Sequence, residues 1–238
     1  MQADPRDDFS VLADREHMMF GLADPYALEK LVGAFADQQT AAAYGRQLPH
    51  RHAQPIGTHA RLFNYAEQSS LRRLEDRARF GLKTAFVSNS FAAYRRTALL
   101  AVGGFPHDTI MNEDTYAVGK MLLAGWQIAY CADAQVFHSH DYGFAEEFRR
   151  YFDIGVFHAR EPWLRQTFGQ AEGEGRRYVL SELAYLRRHA PFLLPSAVLR
   201  TALKWSGYKL GCAEKLIPLK FKPYLSLHHR FWRDPAWH

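Results

Sequence analysis

The chain has 238 residues, 47% of them hydrophobic and 14% aromatic, with a net charge of +5 and a pI near 9.2. That composition excludes a mostly disordered chain, and two widely separated cysteines, Cys131 and Cys212, exclude a disulfide framework or a zinc pattern. The basic balance suits anionic partners (nucleotide diphosphates, lipid-linked phosphates, a membrane surface, nucleic acid) without choosing among them. In chain order, residues 1–20 carry clustered acids and little periodicity and are expected to be irregular, with no apolar core for a secretory signal. Asp24-Pro25 is a helix start, an acceptor followed by a residue whose ring suits the first turn, and Leu28, Leu31, Val32 and Phe35 then recur on one face. Thr40–Tyr44 reads as a short buried strand ending at Gly45-Arg46-Gln47, and His50–Thr58, rich in His, Pro and Gly, as a loop.

Ala85–Phe91 is a second predicted strand, with a helix from about Tyr94 to Val102 that Gly103-Gly104 stops. Asn112 is the predicted cap of the next helix, which places Glu113 and Asp114 in its first turn and Gly125 just past its end. Trp126–Cys131 and Ala134–His138 read as two short strands. Strands alternating with helices argue for an α/β layer. From Phe144 onward the pattern is helical: Glu146–Phe168 with a break at Pro162, then Arg176–His189 and Ser196–Leu210. Gly173-Glu174-Gly175 is the clearest linker, and the tail from Ile217 to His238 is basic and aromatic. The longest apolar stretch, Pro191–Trp205, is interrupted by Pro195, Arg200 and Lys204. It falls short of the ~20 apolar residues that a span requires, so no transmembrane segment is expected.

Several residues have side chains suited to chemistry. Asp114 is a carboxylate that could take a proton from a hydroxyl, although a Glu-Asp pair in a first helical turn also favours the positive end of the helix dipole. His138 and His140 follow a predicted strand, where open α/β sheets bind ligands, so an imidazole there could meet a diphosphate or a metal. It could equally bond backbone or water. Asn89 offers amide groups to a sugar or to its own loop. Arg46 and Gln47 follow another strand and could touch acceptor or phosphate, or solvent. Trp126 could stack on a sugar face or fill a core.

These residues lie in an ordered set: Ser88-Asn89-Ser90-Phe91-Ala92-Ala93-Tyr94-Arg95-Arg96, Val102-Gly103-Gly104-Phe105-Pro106, Asn112-Glu113-Asp114-Thr115, Leu123-Ala124-Gly125-Trp126 and Val136-Phe137-His138-Ser139-His140. In order and spacing the set resembles family 2 glycosyltransferases of the GT-A fold, the bacterial rhamnosyltransferase-like branch. The likeness extends from about residue 22 to Leu225-Ser226-Leu227-His228. It implies an α/β fold, a partial GT-A (Rossmann-like) mixed sheet with flanking helices, followed by a helical C-terminal region. The implied segments are 1–21 (irregular), 22–145 (acceptor side of the catalytic domain) and 146–238 (helical and basic).

The implied activity is inverting transfer of a sugar such as rhamnose, from a nucleoside-diphosphate donor to a carbohydrate or lipid-linked acceptor in surface polysaccharide synthesis. Asp114 matches the family's base and Glu113 its neighbour. Asn89, Arg46, Gln47 and Trp126 are the substrate-binding candidates, and His138 is the candidate ligand for Mg²⁺ or Mn²⁺. No nucleic-acid partner is expected, since no binding motif accompanies the charge. The basic, aromatic tail fits peripheral contact with a membrane, and the compartment expected is the cytoplasm or the inner membrane face. One departure is clear. No Asp-x-Asp occurs anywhere, Glu16–Leu22 takes the place of the metal motif, and the acid pair Asp14 and Glu16 sits too far upstream to match. The sequence therefore also allows a truncated, non-catalytic remnant acting as a membrane- or partner-binding module.

Overall fold

The computed structural model describes residues 9–13, 21–169 and 173–234. The acid pair Asp14 and Glu16 and the last four residues of the tail lie outside that set. In chain order the elements are β1 (Phe9–Ala13), β2 (Gly21–Leu22), α1 (Ala27–Gly33), β3 (Thr40–Leu48), α2 (Pro55–Asn64), β4 (Ser70–Arg72), α3 (Arg77–Phe80), β5 (Phe91–Arg95) and α4 (Arg96–Ala101). They continue with α5 (Glu113–Leu123), β6 (Gln127–Phe137), α6 (Phe144–Arg160), α7 (Pro162–Phe168), α8 (Glu174–His189), α9 (Leu194–Cys212) and α10 (Lys222–Leu225). They fall into two compact units. The first holds the described residues up to Pro106 with Asp114–His140 and Phe168–Glu174, and the second holds His107–Glu113, Asp141–Thr167 and the residues from Gly175 onward. No single cut along the chain separates such interleaved units.

The first unit is a mixed sheet with flanking helices, in the order β1-β5-β3-β6-β2, with β4 also on β6. β3 and β6 run parallel, and every other pairing is antiparallel. Both parallel strands begin as unbroken buried runs, Thr40–Gly45 and Gln127–Tyr130, the pattern of a strand covered on both faces. Ala43, Ala93 and Ala129 keep the sheet face low, and α1 lies on it through Ala27 and Leu31 with Phe35 just beyond. The buried stripe is thus Ala27, Leu31 and Phe35, whereas Leu28, expected on it, is 44% exposed.

The two strands predicted from Trp126 to His138 are one, β6. Its register against β3 jumps from Gly45↔Cys131 to Arg46↔Gln135, so three residues, 132–134, are looped out of the ladder. A bulge of this kind is invisible to a period-2 pattern. Gly45 lies opposite it, where a Cβ would come within 2.3 Å of the Phe91 ring and 2.5 Å of the Ala134 carbonyl oxygen. Ala85–Val87, predicted to open a strand, instead ends a 3₁₀ turn (Gly81–Ala85) and enters the loop to β5. Ala85 and Val87 are buried all the same, at 0% and 2% exposure. Apolar content marked their burial, not their conformation.

The second unit is helical. Pro162 ends α6 as expected, because its ring removes the amide that would continue the ladder, and α7 starts on it. α9 lies against α6. Gly173-Glu174-Gly175, predicted as a linker, is instead a turn at Gly173 leading straight into α8.

Candidate active site

Because β3 and β6 are parallel, their C-terminal ends lie side by side, and Leu48 accepts the His138 amide at 2.9 Å. Such strand ends are where open α/β sheets carry ligands. β5 pairs with β3 only from Ala42 to Tyr44, so the stretch from Gly45 to Leu48 projects past it. The loop that precedes β5 fills this space: the Gln47 amide nitrogen donates to Ser88 Oγ at 2.9 Å.

Asp114 joins that loop from the first turn of α5. Its Oδ2 accepts the Asn89 amide at 3.3 Å, and its Oδ1 accepts the Thr115 amide at 2.6 Å and the Thr115 hydroxyl at 3.3 Å. All three partners are donors, so the carboxylate is presented as an acceptor with both oxygens engaged. The residue before the helix-opening Glu113, Asn112, has φ 59°, a left-handed conformation that asparagine tolerates better than most side chains. The Asn89 side-chain oxygen accepts the Tyr94 hydroxyl of β5 at 2.6 Å, which fixes the orientation of that side-chain amide.

A second layer supports the loop. Arg61, on α2, donates to Gln47 Oε1 at 2.7 Å. Tyr65, just past the end of α2 and 3% exposed, shares a side-chain hydrogen bond with Ser88. Burial pushes the Tyr65 phenol up, the Asp114 charge adds to the effect, and Arg61 with the Ser88 bond opposes it. One connected network therefore runs from Arg61 through Gln47 and Ser88 to Tyr65, beside the loop that holds Asp114. Arg61 and Tyr65 are not evident from the sequence as members of this network. Their signal was a pair four residues apart behind Pro55, a helix start inside the segment predicted as a loop.

Of the other predicted residues, Arg46 pairs with the exposed Glu67 at 3.2 Å, and its Nε is buried with no hydrogen-bond partner among the described residues. Its charge also lowers the Tyr130 phenol, against the larger upward effect of burial. His138 is 1% exposed, with its ring centroid 4.4 Å from that of His140 in an edge-to-face arrangement. Glu113 is half-buried at the first position of α5. Trp126 is not brought to Asp114: it is half-buried beyond the opposite end of α5, an 11-residue helix and therefore about 16 Å away along its axis. Arg46, Gln47, Asn89, Asp114 and His138 thus belong to the sheet unit, with Asn89 bonded directly to Asp114 and Gln47 reaching the same loop through Ser88.

No protein-family model matches the chain. Among curated proteins it is 48% identical over 213 residues to the O-antigen chain rhamnosyltransferase RfbN of Salmonella typhimurium, covering 90% of this chain and 68% of that protein. It is 48% identical over 208 residues to the O-antigen chain rhamnosyltransferase WbaN of Salmonella anatum, covering 87% of this chain and 66% of that one. The chain therefore spans about two thirds of the length of these relatives. Among solved structures, the mannosyltransferase PcManGT from Pyrobaculum calidifontis, in complex with GDP-Man and Mn²⁺, matches 95% of this chain and 60% of its own with TM-score 0.45 and 19% identity.

Proposed function

Because this chain belongs to the O-antigen chain rhamnosyltransferases, a family of glycosyltransferases, we propose that it forms the acceptor side of an inverting sugar-transfer site with Asp114 as the base. The donor is a nucleoside-diphosphate sugar, rhamnose by analogy with the relatives, and the acceptor a carbohydrate or lipid-linked carbohydrate of a surface polysaccharide. Asp114 takes the proton of the acceptor hydroxyl while that oxygen forms its bond to the anomeric carbon. The bond from that carbon to the diphosphate oxygen breaks, and the nucleoside diphosphate leaves with the electron pair. A base so placed contributes ~10²–10⁴-fold.

The supporting observation is the Asp114 carboxylate itself, held through both oxygens and tied by the Asn89 amide to a loop at the strand ends. Gln47 and Ser88 fix that loop, and Asn89 stands beside the carboxylate with an amide group to offer the acceptor. Arg46, with its unpartnered Nε, is the guanidinium we assign to the phosphate side.

A divalent cation, Mg²⁺ or Mn²⁺, would neutralise the departing diphosphate in such a transfer. Among the described residues no group of three or more His, Cys, Asp or Glu side chains could hold an ion. His138 and His140, whose rings meet edge to face, are two imidazoles and fall short of such a set.

The test is release of nucleoside diphosphate and transfer of sugar by the purified chain and by Asp114→Asn. The variant should lose activity ~10²–10⁴-fold with its thermal midpoint nearly unchanged. Equal turnover in the two proteins would remove Asp114 from the base role.

A further inference from the structure

Three glycines set α9 onto α6 in the helical unit. A Cβ on Gly211 would come within 2.0 Å of the Phe152 carbonyl oxygen, one on Gly207 within 2.4 Å of the Phe148 carbonyl oxygen, and one on Gly155 within 2.3 Å of the Tyr208 carbonyl oxygen. With that side committed, the opposite side of α9 faces solvent, and it is largely apolar, with Lys209 among its side chains. Val198 is 60% exposed, Leu199 49% and Trp205 64%, and at 100° per residue they fall with Ala202 within one arc of the helix. On the packed side Arg200 and Lys204 are paired with Glu147, so the exposed arc combines bulky apolar side chains with the lysine Lys209, the composition of a helix that lies at an interface. The exposure continues beyond it, with Leu216 at 85% and Phe221 at 50%.

Charge names the occupant. Residues 190–233 contain eight Lys or Arg against a single acid, Glu214, so the rest of the chain carries a net negative charge. Glu214 is 2% exposed and spent on Lys222 and Arg160. From Ala190 up to Arg233 no carboxylate therefore reaches solvent, Asp234 being the next exposed acid along the tail, whereas Lys209, Lys215 and Lys220 do. Exposed lysines alternating with exposed aliphatic and aromatic side chains, and no acid, complement an anionic lipid surface: the lysines meet headgroups and the apolar side chains enter the acyl boundary. Nucleic acid would use the charge but leave Val198, Leu199 and Leu216 in water. Among the described residues no helix is long and apolar enough to cross a membrane, so the contact is peripheral.

We propose that the outer face of α9, with the lysines and apolar side chains that follow it, is a docking surface for anionic phospholipid. The proposal concerns binding alone and stands apart from the transfer reaction. The purified chain is sedimented with vesicles of phosphatidylcholine alone or enriched in phosphatidylglycerol, at low and high salt. It should sediment with the anionic vesicles only, and less at high salt. The double variant Lys209→Glu, Lys215→Glu should weaken partitioning roughly thirtyfold or more, since each basic residue near the surface is worth about a factor of five. Leu199→Ser with Trp205→Ser should weaken it as well, without altering helical content, because both side chains are already in solvent. Equal binding to both vesicle types, or binding that neither variant weakens, would overturn the proposal. So would light scattering that shows a dimer, abolished by Trp205→Ser, with no vesicle binding at any composition.

Discussion

His158, on α6, has its Nδ1 3.2 Å from the Tyr208 hydroxyl, and the Arg165 side chain reaches the same hydroxyl at 3.2 Å. Burial first, and the Arg165 charge second, lower its pKa to about 4. The unfolded chain protonates this imidazole near 6.5 and the folded one only near 4, so as pH falls through that window the unfolded state takes up a proton that the folded state refuses. Stability is complete above 6.5 and declines below it, by about 2 kcal/mol at pH 5. Two buried acids of the same unit act in the opposite sense. Burial raises Asp153 and Glu182, and such groups gain stability as pH falls. The histidine's share is therefore read from a comparison: urea unfolding at pH 7 and pH 5 for the native chain and for His158→Gln. The amide can keep the Tyr208 contact and does not titrate, so its stability should fall by about 2 kcal/mol less between the two pH values. Parallel behaviour would show that His158 is not the buried neutral group described.

At the scale of elements, the approach of α9 to α6 depends on having nothing at three Cβ positions. The Gly211 clash is with backbone, a carbonyl oxygen at 2.0 Å and the Gly155 Cα at 3.0 Å, which no rotamer change can relieve. Gly211→Ala should cost ~1–3 kcal/mol through overpacking, less the helix-propensity gain of about 1 kcal/mol that alanine brings. A thermal midpoint above the native value would mean that the helices separate freely. Alanine at Gly175, where nothing lies within 4 Å of the added atom, is the matched control. The sequence predicted α9 as Ser196–Leu210 but gave no hint of this contact, because a glycine reads as a helix breaker until its neighbour is known. Other limits have the same origin. Thr40–Tyr44 was recognisable as buried strand, yet its extension to Leu48 depends on pairing with Gln135–Phe137 across some ninety residues. Asp114 and Asn89 were legible through the ordered resemblance, not from their residue types alone, and the fold brings the two together. Arg61 and Tyr65 were not, because what gives them meaning is Gln47 and Ser88, on other elements.

At the scale of the whole molecule, order in the sheet unit should be graded from β3 outward. β3 is the central strand of the order, with β5 along one edge and β6 along the other over Ala42–Tyr44, and its side chains there are 0–2% exposed. Arg95, 8% exposed, closes its entry: Nε donates to the Thr40 carbonyl at 3.0 Å, and another nitrogen to the Phe35 and Asp37 carbonyls at 3.0 and 3.3 Å. From the neighbouring strand Gln127, 1% exposed, donates to the Thr40 hydroxyl at 3.3 Å and to Asp37. Opening β3 would strand a guanidinium and an amide away from their acceptors as well as break two ladders, so its amides should open only with the unit as a whole. β4, three residues with Leu71 53% exposed, pairs along one edge only; Arg72, on the Lys83 carbonyl and over the Tyr44 ring, and Arg73, on Gln127, tie it down, but with a single short ladder it can detach from β6 while β3 stays paired. Native-state hydrogen exchange followed by mass spectrometry should therefore find the slowest amides of this unit at Ala42–Tyr44 and Ile128–Tyr130, with those of β4 exchanging at least tenfold faster, the factor that corresponds to ~1.4 kcal/mol of opening free energy. β4 amides as slow as those of β3 would mean that the sheet opens as one piece and that the Arg95 and Gln127 ties add nothing local.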